Sequence, residues 1–213
     1  HIAVLVNNAG RVLITPFLEI AEEEWDAIMT LNLKTVFFAM QFAVSKMSEG
    51  GRIVNLSSIS GRSGRPDQAH YAAAKCAVIS LTQSAALSFA PRGITVNAVC
   101  PGVVNTPMTN RIHEIRAGSL GITPEESLSR MVARIPLGRI ETPEDVAGAA
   151  ELQVLAVLAV GGAEAVLVVV RLVEHLAGVE GAVVPLLQLP GGDAAYGRRT
   201  EQLLGRHQAA LMV

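Results

Sequence analysis

Three polar residues stand close together in "SSISGRSGRPDQAHYAAAK", Ser57 to Lys75: Ser58, Tyr71 and Lys75. Tyr71 and Lys75 are four apart in an Ala-rich stretch with a helical pattern, so they share one helix face about a turn apart. A free phenol, with a pKa near ~10, is a poor acid–base catalyst at neutral pH. A nearby ammonium favours the phenolate and lowers that value. Ser58 ends the preceding strand pattern and can hydrogen-bond a carbonyl or hydroxyl oxygen. Such a group could pass a proton to or from an oxygen at a sheet edge. No nucleophile's base and no metal-ligand set accompanies it, so the complementary part would be a hydride carrier. Taken alone, Tyr-x-x-x-Lys is a weak signal, and half-buried packing for Tyr71 with a surface charge for Lys75 fits it better.

The elements that must position these residues read as alternating strands and helices. Ile2 to Val6 is a continuous apolar, β-branched run ending in "NNAG", as expected of a strand covered on both faces. A helical pattern follows from about Ala21 to Met47, acidic in its first turn, with Gly50 and Gly51 after it. "RIVNLS" is a second strand. The stretch from Asp67 to Gly93 is a long helix stopped by Pro91 and Gly93, and "ITVNAVC" is a third buried strand closed by Pro101 and Gly102. This order is that of right-handed βαβ units on a parallel sheet, with strands near 2–6, 52–57 and 94–100. Residues 103–139 loosen into short, partly helical pieces. They follow a strand end, where open α/β sheets bind ligands, and so make a natural substrate cover. "TPEDVAGAA" starts another helix, with Thr142 as N-cap and Pro143 at the first helical position.

The 213 residues suffice for one core or for one domain plus a tail. The net charge of −2, with no Lys/Arg run, disfavours nucleic acid and anionic membranes as partners. The two cysteines, Cys76 and Cys100, lack metal-ligand spacing and a disulfide framework, so a reducing cytoplasm is expected, with both thiols as small buried hydrophobes. The chain opens with His1 directly in an apolar run, without a signal peptide, as the middle of a protein would. Beyond about Ala150 it becomes Val/Leu/Ala/Gly-rich without clear periodicity. A membrane span over 152–170 is opposed by Gln153, Glu164 and Gly161–Gly162, and buried α/β structure or a divergent tail are the other readings. Residues 197–213 form a short basic amphipathic stretch, expected as a solvated helix.

The ordered set "NNAG" (7–10), "LN" (31–32), "GRIVNLSS" (51–58), "YAAAK" (71–75), "GITVNAVCPG" (93–102) and "TPM" (106–108) resembles the short-chain dehydrogenase/reductase family, and "PLGRIETPEDVA" (136–147) resembles its later region. The resemblance covers residues 1 to about 150. It implies a Rossmann-like, doubly wound parallel sheet with an NAD or NADP cofactor. It makes Tyr71 the general acid/base. Lys75 would hold the nicotinamide ribose and lower the Tyr71 pKa, and Ser58 would orient the substrate oxygen. Ser57 would be a packing or backbone-bonding neighbour. Asn32 would support a water-linked proton relay to the lysine. Asn8, Ala9 and Gly10 match the turn near the adenosine ribose, and Pro101, Gly102, Val104 and Thr106 match the loop that passes the nicotinamide.

The family's Gly-rich turn, T-G-x-x-x-G-x-G, is absent from the sequence, as are the residue that selects NAD or NADP and the Asp that touches adenine. "NNAG" normally sits on the family's fourth strand, so the first three strands are expected to be missing and the sheet incomplete, with a bare strand edge. Residues 1–150 would be a truncated dehydrogenase domain. Residues 151–213 would be a divergent, frame-shifted or fused tail, with "VVPLLQLPGG" (183–192) only a faint echo of the family's ending. The reaction implied is hydride exchange between the nicotinamide and a secondary alcohol or ketone, in the manner of polyol and acetoin dehydrogenases. A 3-oxoacyl-carrier-protein reductase is the alternative, for which Arg62, Arg65 and Arg111 form too small a basic patch to decide. A non-catalytic fragment unable to bind cofactor is the alternative of another class. The resemblance also implies a homo-oligomer, usually a tetramer, with the helix over 69–90 as an intact interface.

Overall fold

The computed structural model describes residues 2–158, 166–170 and 186–188, with side-chain surroundings up to residue 154. Most of the 151–213 segment, including 197–213, lies outside the described residues.

The sheet is built from β1 (Ile2–Asn7), β2 (Met47–Leu56), β3 (Thr95–Val99), β4 (Val166–Val170) and β5 (Leu186–Gln188), in the order β3-β2-β1-β4-β5. β1 pairs parallel with both β2 and β4, β2 pairs parallel with β3, and β5 is antiparallel to β4. The edge of β1 expected to be bare is therefore covered by β4, a Val-rich run whose sequence gives no periodic cue to its partner.

Register explains how the core is divided. Leu5 lies beside Ile53, and Ile53 beside Val96, so the three share one face. They pack in a single cluster with Val36, Met40, Ala43 and Val44 of α2 (Thr35–Lys46) and with Val78 and Ala85 of α3 (Ala69–Phe89). Val4 and Val54 are one residue out of phase, face the other way, and are buried too. Both faces of the central strands are covered, which is why β1 is apolar without alternation. α6 (Pro143–Leu158) also packs on β2 and β3. Its start is a reciprocal cap: Thr142 Oγ1 accepts from the Asp145 N–H at 3.2 Å, and Asp145 Oδ2 accepts from the Thr142 N–H at 2.9 Å. The helix runs on across residue 150.

The helix expected over 21–47 comes in three parts: α1 (Glu22–Met29), a π-turn at Thr30–Lys34, and α2. The stretches Glu22–Lys46 and Ala69–Arg92 are long and apolar enough to cross a membrane by composition alone, yet both bury a face against the sheet. The substrate-cover region resolves into α4 (Pro107–Leu120) and α5 (Pro124–Val132), capped by the side chains of Thr106 and Thr123.

Candidate active site

The carboxyl ends of β1, β2 and β3 and the first turns of α3 bring Ser58, Tyr71 and Lys75 together. Parallel strands end on one side of the sheet, so residues that follow them in sequence meet there. Ser58 continues β2 in extended conformation and caps the short turn Ile59–Gly61, its Oγ accepting from the Ser60 N–H at 3.1 Å. The Ser58 hydroxyl also stands close enough to the Tyr71 phenol to favour its ionised form. Ser57 turns the opposite way and donates its hydroxyl proton to the Lys75 carbonyl at 2.8 Å, which fastens α3 to the strand end. Gly61 permits that approach, because a Cβ there would stand 2.7 Å from the Lys75 carbonyl carbon.

Lys75 is 3% exposed. Its ammonium donates to the Leu56 carbonyl at 2.7 Å and lies 5.7 Å from the centre of the Tyr71 ring. Burial pushes its pKa down to about 8, with the Cys100 thiol opposing that fall. Burial also pushes the Tyr71 phenol above its ordinary value, and the Ser58 hydroxyl only partly offsets this. The expected lowering of the Tyr71 pKa by Lys75 is therefore not what this structure gives. The ammonium is directed at a backbone carbonyl, and loss of hydration dominates at the phenol.

Asn32 is wholly buried inside the π-turn. Its amide donates to Ile28 O at 3.0 Å and Arg11 O at 2.9 Å, and its Oδ1 accepts from the Arg11 N–H at 3.1 Å. The bond to Ile28, four residues back, competes with the helical ladder at the point where the π-turn interrupts it. Asn32 thus ties the loop after β1 to the helix behind it. Asn8, Ala9 and Gly10 form the turn at the end of β1, with Asn8 exposed and Ala9 buried. A Cβ on Gly10 would reach within 3.0 Å of Asn32 Oδ1 and 3.4 Å of Lys75 Nζ, so this glycine lets the loop after β1 pack closely against both. Among the described residues Lys75 has one hydrogen-bond acceptor, Leu56, for three protons, and the nicotinamide ribose of a dinucleotide would meet donors here. The nicotinamide end of such a cofactor fits this corner, whereas no Gly-rich phosphate turn is present in the sequence for the other end.

Pro101, Gly102, Val104 and Thr106 form the loop after β3. Pro101 O accepts from the Ile59 N–H at 3.0 Å, which joins this loop to the Ser58 turn. Thr106 caps α4, and Val104 forms a bridge with Glu141. Sequence reasoning missed Glu141, whose carboxylate accepts from the Gly102 N–H at 2.9 Å across 39 residues of separation. It also missed His70, wholly buried beside Tyr71 with Nε2 2.9 Å from Glu24 Oε1, and the paired hydrogen bonds from Arg116 of α4 to Asp67 at 2.8 and 3.1 Å. No local pattern marks these pairs, since each joins distant elements. The two cysteines correct the expectation of burial: Cys76 is exposed and Cys100 half-buried. Cys76 follows the inward-facing Lys75 by one helix position and so points outward.

Over most of the described residues the chain is similar to known proteins. The profile of a family described as enoyl-(acyl carrier protein) reductase matches residues 1–157. A 3-oxoacyl-(acyl-carrier-protein) reductase of Thermotoga maritima is 43% identical over 149 residues, covering 69% of this chain and 56% of that protein. An actinorhodin polyketide ketoreductase variant solved with NADPH superposes with a TM-score of 0.67 at 37% identity, over 71% of this chain and 59% of that one. The sorbitol-6-phosphate 2-dehydrogenase of Erwinia amylovora gives a TM-score of 0.68 at 32% identity, over 71% and 60%. The chain spans a little over half the length of the curated relatives it matches.

Proposed function

Because the chain belongs to the short-chain dehydrogenase/reductase family, we propose that it carries the catalytic side of an NAD- or NADP-dependent oxidoreductase acting on a secondary alcohol or the corresponding ketone. The nicotinamide, when bound, supplies or takes up hydride at the carbonyl carbon. Tyr71 gives a proton to the carbonyl oxygen, or takes it from the alcohol. Ser58 holds that oxygen. Lys75, cationic at neutral pH, binds the nicotinamide ribose and holds positive charge behind the phenol, and Asn32 fixes the loop that faces it. Asn8, Ala9 and Gly10 lie toward the adenosine ribose, and Pro101, Gly102, Val104 and Thr106 beside the nicotinamide. The observation that carries this reading is the buried Lys75 ammonium, held on the Leu56 carbonyl at the end of β2 and 5.7 Å from the centre of the Tyr71 ring.

The substrate reading is a small polyol- or acetoin-like compound, in keeping with the likeness to a sugar-phosphate dehydrogenase. A 3-oxoacyl thioester is the second reading, favoured by 43% identity to a reductase of that class. The basic residues near the mouth offer it little, since Arg65 is bonded to Ser60 and Arg111 to Glu114. The assay is NADH and NADPH oxidation with acetoin-type ketones and with a 3-oxoacyl thioester, in the longest form of the protein that its gene encodes. Turnover of either class that disappears in Tyr71→Phe supports the reaction. The ratio of kcat/KM values assigns the class. Absence of turnover with every carbonyl tested would overturn both readings.

The protein is proposed to be a cytoplasmic homo-oligomer, in keeping with apolar side chains left outside the core: on α2, Phe37, Phe38 and Phe42 are 43%, 52% and 64% exposed.

A further inference from the structure

We propose that Glu141 is a positioning residue for the nicotinamide end of the site, a proposal that rests on the reading of residues 101–106 as the loop beside that group. Glu141 grips the loop in two ways. Its Oε1 accepts the Gly102 N–H at 2.9 Å. Its backbone N–H donates to Val103 O, and its carbonyl accepts from the Asn105 N–H, both at 2.8 Å. These two backbone bonds make the parallel bridge between Val104 and Glu141, which turns the N–H and C=O of Val104 away from Glu141. The Val104 carbonyl is in turn taken by the Thr109 hydroxyl at 2.5 Å.

The side-chain contact in its present form goes with a glycine, since a Cβ would push the carboxylate aside. A Cβ at position 102 would stand 2.7 Å from Glu141 Oε1, so the carboxylate and the missing side chain fit each other. On the opposite side the loop is held by the Ile59 N–H on Pro101 O at 3.0 Å. The segment from Pro101 to Asn105 is thus fixed between the Ser58 turn and Glu141, and the chain's path past the site is set by a residue 39 positions away. The Gly102 N–H to carboxylate bond is charge-assisted and stronger than one between neutral groups. Glu141 reaches a ligand only through the loop.

The test uses the 213-residue chain and reduced nicotinamide mononucleotide, a probe that needs only the nicotinamide half of the site. Amide exchange at Gly102 and Asn105 is measured without probe, and probe affinity is measured by NMR at millimolar concentration, in Glu141→Ala and Glu141→Gln. In Glu141→Ala, Gly102 exchange is expected to accelerate and the probe's Kd to rise, each about tenfold. Glu141→Gln keeps an acceptor and is expected to recover most of both, while Asn105, held by the backbone, changes little in either. Unchanged Gly102 exchange in Glu141→Ala would overturn the clamp. Faster exchange with unchanged probe affinity would overturn its positioning role. A wild-type chain whose loop 101–106 shows no response to the probe, with Gly102 protected as expected, would instead overturn the reading of that loop and the proposal with it.

Discussion

The Lys75 ammonium donates to the Leu56 carbonyl at 2.7 Å, so the buried cation is held by the backbone at the end of β2 and not by the Tyr71 oxygen. Strand and helix are thereby joined at the point where the chemistry is expected. Consequences for titration follow.

Tyr71 is expected to ionise above the ordinary value of 10.0, because burial disfavours the phenolate. Ser58→Ala should raise it further, since the serine's hydroxyl acts the other way. The check is tyrosinate absorbance against pH, with Tyr71→Phe subtracted to isolate this tyrosine from Tyr196. A Tyr71 transition below the ordinary value would contradict the dominance of burial.

Lys75 has a folded pKa of about 8 against an ordinary 10.5, so the unfolded chain binds more protons between these values. Stability contributed through this group is therefore present above the unfolded value and lost as pH falls through about 8. The charged form costs about 3 kcal/mol at neutral pH. Denaturant unfolding of wild type and Lys75→Met should show the wild type gaining on the variant as pH rises from about 8 toward 10.5. A difference that is flat with pH would refute the shift.

Tyr71→Phe retains the ring and removes the oxygen proposed to move the proton. In the longest form of the protein that its gene encodes, turnover should fall by ~10²–10⁴ with the circular dichroism spectrum unchanged. Near-normal turnover would remove Tyr71 from the mechanism.

Gly61→Ala would place a Cβ 2.7 Å from the Lys75 carbonyl carbon and 2.8 Å from the Cys76 nitrogen, against backbone that cannot step aside. Destabilisation of at least ~1–3 kcal/mol is expected in urea unfolding. Gly64→Ala, where no atom lies within 4 Å, is the control and should change little.

A dinucleotide should bind these 213 residues no better than its nicotinamide half, because the sequence supplies no Gly-rich turn for the pyrophosphate. Fluorescence titration with NADH and with reduced nicotinamide mononucleotide compares the two. Micromolar NADH binding would show that another part of the chain provides a phosphate site.

The legible part of the fold lay in its short apolar runs and its helical spacings. Ile2–Asn7 and Thr95–Val99 are short apolar runs bounded by turn residues, and both are strands. Tyr71 and Lys75 were legible because four positions on a helix fix a common face whatever surrounds it. The electrostatics between them were not, since the balance between burial and attraction depends on how closely β2 and α3 pack. Asn32 was legible as a polar helix residue, but not as the partner of Arg11, which lies 21 positions away. Glu141 and Gly102 leave no local trace of their pairing. The parallel pairing of β4 with β1 was equally hidden, because a run of valines in 166–170 carries no information about which strand it will meet.

Ser57 and Ser58 are the same amino acid side by side on extended chain, yet one bonds the Lys75 carbonyl while the other lies on the side of the Tyr71 phenol. Their separation is a matter of parity: adjacent residues on such a chain look to opposite sides. An insertion or deletion of one residue between Asn55 and Ser57 would shift both serines one place along the extended chain and exchange their directions. The Ser57 hydroxyl would face the side of Tyr71 and the Ser58 hydroxyl the helix backbone. The span between β2 and Tyr71 is therefore sensitive to phase as well as to length. A change of two residues would keep the direction and lose only the reach.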